Sequence, residues 1–202
     1  MFRLICLGIG YFIGCIETAY VVGRLWRVDL RQHGSGNLGT TNALRVLGKK
    51  AGAMVFVGDI LKSSIAFLIC RAIFADHATI AGLFGGVGAI LGHNYPFYLH
   101  FKGGKGIAAM IGMTATLAFT TNPWLALPNA IIGFGMAFAT RYVSVGSLLF
   151  ALTLPISCYL FGYETEIVVV TACVSALAFW RHRENIRKLL NGTENKFGSK
   201  KK

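Results

Sequence analysis

The sequence predicts an all-α integral membrane protein of about seven transmembrane helices, and three observations carry that prediction. Of its 202 residues, 54% are hydrophobic and only 14% charged, against about 25% charged in ordinary soluble domains. The apolar residues fall in runs of about 18 to 22, the helical length that spans roughly 30 Å of hydrocarbon. The basic residues behind the formal net charge of +12 lie between and after those runs.

The helices are expected at roughly Leu4–Gly23, Ala51–Phe74, Ala78–Tyr98, Gly104–Phe119, Pro123–Thr140, Val143–Gly162 and Thr165–Trp180. The first run includes Phe12-Ile13-Gly14-Cys15, which faintly resembles a lipoprotein cleavage site. The bulky Phe12 and the many runs that follow favour a span instead. The second run carries Asp59 and Lys62, and the third is rich in glycine. The fourth and seventh are short, as tilted or partly interfacial helices would be; a count of five or six follows if the fourth or fifth does not fully cross. All five cysteines lie in apolar stretches, and no spacing among them resembles a metal site. They read as small apolar helix residues, and no metal is expected.

With seven spans the loops alternate sides. One side receives segment 24–50, the residues around 99–105, Arg141 and the C-terminal tail. It collects Arg24, Arg27, Arg31, Arg45, Lys49, Lys50, Lys102, Lys105, Arg141, Arg181, Arg183, Arg187, Lys188, Lys196 and the lysines at 200–202. The other side holds Asp76, Glu164 and Glu166, with Arg3 and Arg71 near its boundary. This asymmetry places the N-terminus outside and the C-terminus in the cytosol. The chain reads as a single polytopic membrane domain, residues 1–202, with no internal repeat. Its end, 191–202, reads as a mobile basic cytosolic tail. A charge of +12 in a soluble chain would suggest nucleic acid. Here topology explains it, and the expected partners are anionic membrane lipids and anionic substrates, not nucleic acid.

Every glycine-rich polar segment gathers on the cytosolic side. The first is Gly34-Ser35-Gly36-Asn37-Leu38-Gly39-Thr40-Thr41-Asn42-Ala43-Leu44-Arg45. Such a backbone turns tightly and aims several N–H groups at one anion. Ser35, Asn37, Thr40, Thr41 and Asn42 add neutral donors, and Arg45 adds a charged fork suited to phosphate. The alternative is a flexible interhelical loop. The second segment is Gly92-His93-Asn94-Tyr95-Pro96 followed by Phe101-Lys102-Gly103-Gly104-Lys105-Gly106. Glycines beside lysines at the start of a helix suit an anion, through exposed N–H groups and the positive helix end. It is not a Walker loop, because Gly106 and not Ser or Thr follows Lys105. The alternative is a basic turn touching lipid phosphates.

Two further segments lie on the same side. Arg141-Tyr142-Val143-Ser144-Val145-Gly146-Ser147 opens a helix, and taken alone suits ordinary capping. Arg181-His182-Arg183-Glu184-Asn185-Ile186-Arg187-Lys188-Leu189-Leu190, then Gly192-Thr193-Glu194, reads as a helix leaving the membrane. His182 and Asn185 are three apart on one face of it. Of the histidines, His93 stands out because it lies between two glycine-rich pieces. Glu17, Asp59 and Lys62 lie inside apolar helices, where ionisable groups are expensive and usually face inward. Asp59 and Lys62, three apart, suit a structural pair.

Taken together, these segments resemble the bacterial acyl-phosphate:glycerol-3-phosphate acyltransferase family, known as PlsY. The resemblance rests on Gly-Ser-Gly-Asn-x-Gly-x-Thr-Asn-x-x-Arg at 34–45 and on Gly-His-x-x-Pro at 92–96 with Phe-x-Gly-Gly-Lys-Gly at 101–106. Arg-His-x-x-Asn-Ile-x-x-Leu at 181–189 with Gly-Thr-Glu at 192–194 completes it. The three motifs fall in order over nearly the whole chain. Thr40 and Ile107 depart from the common Ala and Val. The resemblance implies a seven-helix inner-membrane enzyme, its site open to the cytosol, that moves an acyl chain from acyl phosphate to the sn-1 hydroxyl of glycerol 3-phosphate. The products would be 1-acyl-glycerol 3-phosphate (lysophosphatidic acid) and phosphate, the first acylation of phospholipid synthesis, with no cofactor.

The residues themselves fit that chemistry. Both substrates carry phosphate, and two glycine-plus-cation segments share one face. The donor is an activated mixed anhydride, so no Cys or Ser nucleophile in a triad setting is needed. A histidine followed five positions later by aspartate, the mark of another class of glycerolipid acyltransferases, is absent. Arg45, Lys105 and Ser147 are expected to bind phosphate, with the backbone N–H groups of Gly103 and Gly104 and with Lys102 beside them. Ser35, Gly36, Asn37, Gly39, Thr41 and Asn42 are expected to orient substrate, with Ser35 next to the chemistry. His182 and Asn185 would close the site from the last helix, and Glu194 is structural by resemblance. The hydroxyl proton goes either to His93 or to an oxygen of the acyl phosphate, with the substrate-assisted route favoured. The competing class is a transporter for a phosphorylated metabolite, which predicts polar groups on both sides of the site and a path to the outer face. A lipid-binding scaffold would need basic tails but not the Asn/Thr/Gly segment.

Overall fold

The computed structural model describes residues 1–197, so the lysines at 200–202 lie outside the described residues. Those residues form ten α-helices and three short 3₁₀ turns, with no strand among them. The helices are α1 (Phe2–Gly14), α2 (Thr18–Leu25), α3 (Thr40–Leu47), α4 (Lys49–Ile73), α5 (Ala78–Asn94), α6 (Ile107–Thr120), α7 (Ala126–Thr140), α8 (Val143–Leu160), α9 (Thr165–Arg181) and α10 (Arg183–Leu190). The chain divides into two compact units, Met1–Thr121 and Asn122–Lys202.

Four helical stretches are long and apolar enough to cross a membrane: Phe2–Leu25, Lys49–Ile73, Pro123–Thr140 and Val143–Leu160. Helices α5 and α9, at 17 residues each, and α6, at 14, are shorter than the usual span of roughly 20. Large apolar side chains such as Leu61, Ile65, Leu68, Ile131, Phe138 and Leu160 are exposed. That distribution suits lipid as the outer solvent.

Three expected elements come out differently. The first helix is broken: α1 stops at Gly14 and α2 starts at Thr18. At bilayer depth a broken ladder survives only where other groups satisfy the backbone. Here Tyr98 donates its hydroxyl hydrogen to the Cys15 carbonyl at 2.9 Å, and Lys62 donates to the Ile16 carbonyl at 3.0 Å. The third helix ends at Asn94 rather than Tyr98, because Pro96 disfavours helical backbone at the residue before it. Segment 34–45 contains a helix, α3, in place of an open loop.

In the first unit, α5 packs on α1 through small residues. A Cβ on Gly10 would strike the Gly85 carbonyl, one on Gly14 would strike Ala89, and one on Gly92 would strike the Tyr11 carbonyl. Small residues four apart let membrane helices approach at backbone distance. Near the start of α4 a second cluster, including Leu30, Leu38, Ala43, Ala51, Val55 and Leu99, is buried. It pins segment 26–39 and the turn at 97–99 to the same helix end. In the second unit, α7 and α8 meet at Gly133, Ala137 and Gly146, again at backbone contact. Ser175 ties α9 to α8 by donating to the Ala151 carbonyl.

Candidate active site

Segment 34–45 is shaped by Asn42, which is 1% exposed. Its Oδ1 accepts the Ser35 N–H at 2.9 Å, and its Nδ2 donates to the carbonyls of Leu30 and His33 at 3.0 and 3.1 Å. Asn42 therefore builds the turn, in place of the substrate contact expected of it, because both of its amide hydrogens are spent on backbone. Gly34 has φ of +66°, and a Cβ there would collide with the Asn42 carboxamide. Any other residue would be strained in that backbone and would displace Asn42. The turn leaves Ser35 and Gly36 exposed and Asn37, Gly39 and Thr41 half-buried, with Arg45 exposed on α3.

Segment 101–106 doubles back on the end of α5. The N–H groups of Gly103 and Gly104, expected to point at phosphate, donate instead to the carbonyls of Asn94 and His93, at 3.2 and 3.0 Å. These glycines serve close approach: a Cβ on Gly104 would strike both His93 Nε2 and the Leu38 carbonyl. Leu38 belongs to segment 34–45, so the two glycine-rich segments touch. Lys102 is exposed and Lys105 half-buried beside this seam. His100 and Phe101, at the start of the segment, have φ of +53° and +58°, a left-handed pair that costs roughly 1–3 kcal/mol per residue. Strain of that size is held only where surrounding contacts over-determine the backbone.

Beneath the seam lies a buried ionic cluster. Glu17, Asp59, Lys62 and His93 are 0%, 1%, 5% and 2% exposed. Lys62 Nζ lies 3.0 Å from Asp59 Oδ1 and 2.8 Å from His93 Nδ1. His93 Nδ1 is also 3.3 Å from Glu17 Oε1 and 3.6 Å from Asp59 Oδ1. Thr18 donates to Asp59 Oδ1 at 3.0 Å. The Asp59–Lys62 pair expected from the sequence is thus part of a larger group joined by Glu17 and His93. Glu17 did not enter the expected site, although an acid in an apolar run was a visible signal. Its partners on α4 and α5 were not visible.

The second unit arranges its motif residues around Glu194. Glu194 Oε1 accepts the Ser144 hydroxyl at 3.0 Å and the Asn185 amide at 2.8 Å. The Phe197 N–H donates to the Arg141 carbonyl at 2.7 Å, so residues 191–197 are tied to the start of α8. Ser147 lies one turn beyond Ser144 on α8. His182 is 4% exposed at the junction of α9 and α10, and its Nδ1 donates to the Ala178 carbonyl at 2.8 Å. Among the described residues no group of three or more His, Cys, Asp or Glu side chains is arranged to hold a metal ion.

The fold and these segments define an integral membrane protein of α-helices whose first unit joins two glycine-and-cation segments over a buried charge cluster. Comparison with known proteins gives the family. The family model described as glycerol-3-phosphate acyltransferase matches residues 4–192. A glycerol-3-phosphate acyltransferase of Halalkalibacterium halodurans is 43% identical over 196 residues, 95% of this chain and 93% of that protein. One of Alkaliphilus metalliredigens is 40% identical over 201 residues, 99% of this chain and 98% of that protein. The crystal structure of PlsY, an integral membrane glycerol 3-phosphate acyltransferase, in its glycerol 3-phosphate form is 37% identical. It superposes with a TM-score of 0.88 over 97% of this chain and 96% of its own. Its lysophosphatidic acid form gives 0.86 at 36% identity, over 97% and 95%. The chain belongs to the glycerol-3-phosphate acyltransferase family, and it is an acyltransferase enzyme.

Proposed function

We propose that the protein transfers an acyl chain from acyl phosphate to the sn-1 hydroxyl of glycerol 3-phosphate, releasing 1-acyl-glycerol 3-phosphate and inorganic phosphate. The observation that carries this reading is the contact between segments 34–45 and 101–106 at Leu38 and Gly104. Each segment brings a cation, Arg45 on one and Lys102 and Lys105 on the other. Two unit negative charges about 6 Å apart repel by roughly 3 kcal/mol at an effective dielectric near 20. A site for two phosphorylated substrates therefore needs fixed cations, and adjoining cationic segments meet that need.

In the step itself the hydroxyl oxygen attacks the acyl carbonyl carbon, and the bond from that carbon to the phosphate oxygen breaks. The hydroxyl proton moves to the departing phosphate, which needs one. Positioning and charge stabilisation are then the enzyme's main contributions. Ser35 and Arg45 with Lys105 act nearest the reacting groups. Asn37, Thr41 and Lys102 are the further substrate contacts in the first unit that the motifs support, and Gly36 and Gly39 give the first segment its shape. The chain crosses the bacterial inner membrane seven times, with its N-terminus outside and its site facing the cytosol. The basic residues between Arg24 and Lys50 and in the tail support that orientation.

The test is direct. Purified protein given acyl phosphate and glycerol 3-phosphate is expected to release phosphate and lysophosphatidic acid without ATP or acyl-CoA and in the presence of chelator. Arg45→Met and Lys105→Met are each expected to lower kcat/KM by about ten- to a hundredfold, the worth of a charged hydrogen bond. Acylation that proceeds only with acyl-CoA would overturn the donor assignment.

A further inference from the structure

We infer that His93, with Glu17, Asp59 and Lys62, is a positioning device that seats Lys105 against the first glycine-rich segment. The inference rests on the acyl-transfer reading above. An ammonium has three donors, and three acceptors stand around Lys62 Nζ: the Ile16 carbonyl at 3.0 Å, Asp59 Oδ1 at 3.0 Å and His93 Nδ1 at 2.8 Å. A lysine hydrogen pointing at Nδ1 uses that nitrogen's lone pair and leaves the imidazole proton on Nε2. Nε2 is then a donor.

The position of the ring points the same way. Nε2 lies so close under Gly104 that a Cβ there would strike it, and the Leu38 carbonyl would block the same Cβ. The imidazole fills the gap under Gly104 and is 2% exposed. Its backbone carbonyl receives the Gly104 N–H at 3.0 Å, so both the main chain and the side chain of His93 fix Gly104. Lys105 is the next residue. The remaining members hold Lys62 against the ring from below: Asp59 Oδ1 takes a Lys62 hydrogen at 3.0 Å, and Glu17 Oε1 packs beside them, 3.3 Å from Nδ1. Glu17 comes from the break between α1 and α2, Asp59 and Lys62 from α4, and His93 from α5. Three separate pieces of chain therefore meet at one imidazole.

The experiment compares His93→Gln with His93→Ala, and adds Glu17→Gln. Each is assayed for phosphate release, with kcat and the KM for glycerol 3-phosphate determined separately and folding checked by thermal unfolding. A glutamine amide accepts from Lys62 and fills part of the ring's space, but it cannot take up a proton. His93→Gln is expected to stay within about tenfold of wild type in kcat, whereas His93→Ala loses about a hundredfold or more in kcat/KM with a raised KM. Glu17→Gln is expected to raise KM at least threefold while kcat stays within about twofold. His93→Gln as inactive as His93→Ala in folded protein would make His93 the base and overturn the inference. If His93→Ala does not fold, Glu17→Gln decides. Unchanged KM, or a fall in kcat alone, overturns the inference, and a raised KM with kcat kept supports it. Wild-type protein that releases no phosphate would fail the acyl-transfer reading instead, so the two failures are distinct.

Discussion

Lys62→Met tests the buried cluster as a source of stability. Methionine keeps most of the unbranched stem, so packing changes little. What is lost is the only ammonium in a group that also holds Asp59 and Glu17, all within 5% exposure. The Asp59 contact at 3.0 Å and the Ile16 carbonyl contact at 3.0 Å both go. Removing one partner of a buried pair costs about 3–5 kcal/mol, because the other charge stays buried without its counterion. We therefore expect a loss of about 4 kcal/mol. At roughly 2–4 °C per kcal/mol for a chain of this size, Tm in detergent falls by about 8–16 °C. Asp59→Asn combined with Lys62→Met removes the Asp59 charge along with its direct partner and leaves Glu17 as the remaining buried acid. Thr18 keeps an acceptor in that variant, so at least half of the loss should return. Thermal unfolding of the two single variants and the double variant measures this. A single-variant drop under about 4 °C, or a double variant as unstable as the sum of its singles, would refute the reasoning.

Other outcomes follow from individual contacts. Gly104→Ala forces a Cβ into His93 Nε2 and the Leu38 carbonyl, so phosphate release should fall by on the order of a hundredfold. Gly8→Ala on α1 meets nothing within 4 Å and should stay within about twofold. Glu194→Ala removes the acceptor of Ser144 and Asn185, which should cost about 2 kcal/mol. Hydrogen exchange at the Phe197 N–H should then rise at least about tenfold, and unchanged exchange would count against the tie. Asp29 is held down to about 2, first by the side-chain hydrogen bonds from Arg31 and then by the Arg31 N–H. Its unfolded value is near 3.9. Because the folded value is depressed, the contribution is complete above about pH 5 and disappears as pH falls toward 2. The Tm difference between wild type and Asp29→Asn should shrink over that window; it should be small, since both partners are partly exposed.

Much of the architecture could be read from one dimension. Long apolar runs interrupted by basic segments require helices in lipid, since only internally satisfied backbone survives there. The motifs at 34–45, 92–106 and 181–194 named the family. The break at Cys15–Glu17 was not legible. Its carbonyls are satisfied by Tyr98 and Lys62, which stand 83 and 46 residues away from their acceptors. Helix α3 was also missed, since Gly, Thr and Asn around it favour turns on their own and burial of Ala43 against its neighbours overrides that preference.

The sequence by itself determined the solvent, the helical class, the family and the inventory of candidate phosphate-binding residues, because composition and local spacing encode these directly. Only the tertiary structure decided which of those residues remain available to a ligand. Asn42 and the N–H groups of Gly103 and Gly104 turned out to be consumed by the backbone. Glu17 and His93 turned out to share a buried cluster with Lys62. A hydrogen-bond donor can be spent only once, and which acceptor takes it depends on chain segments that meet only after folding.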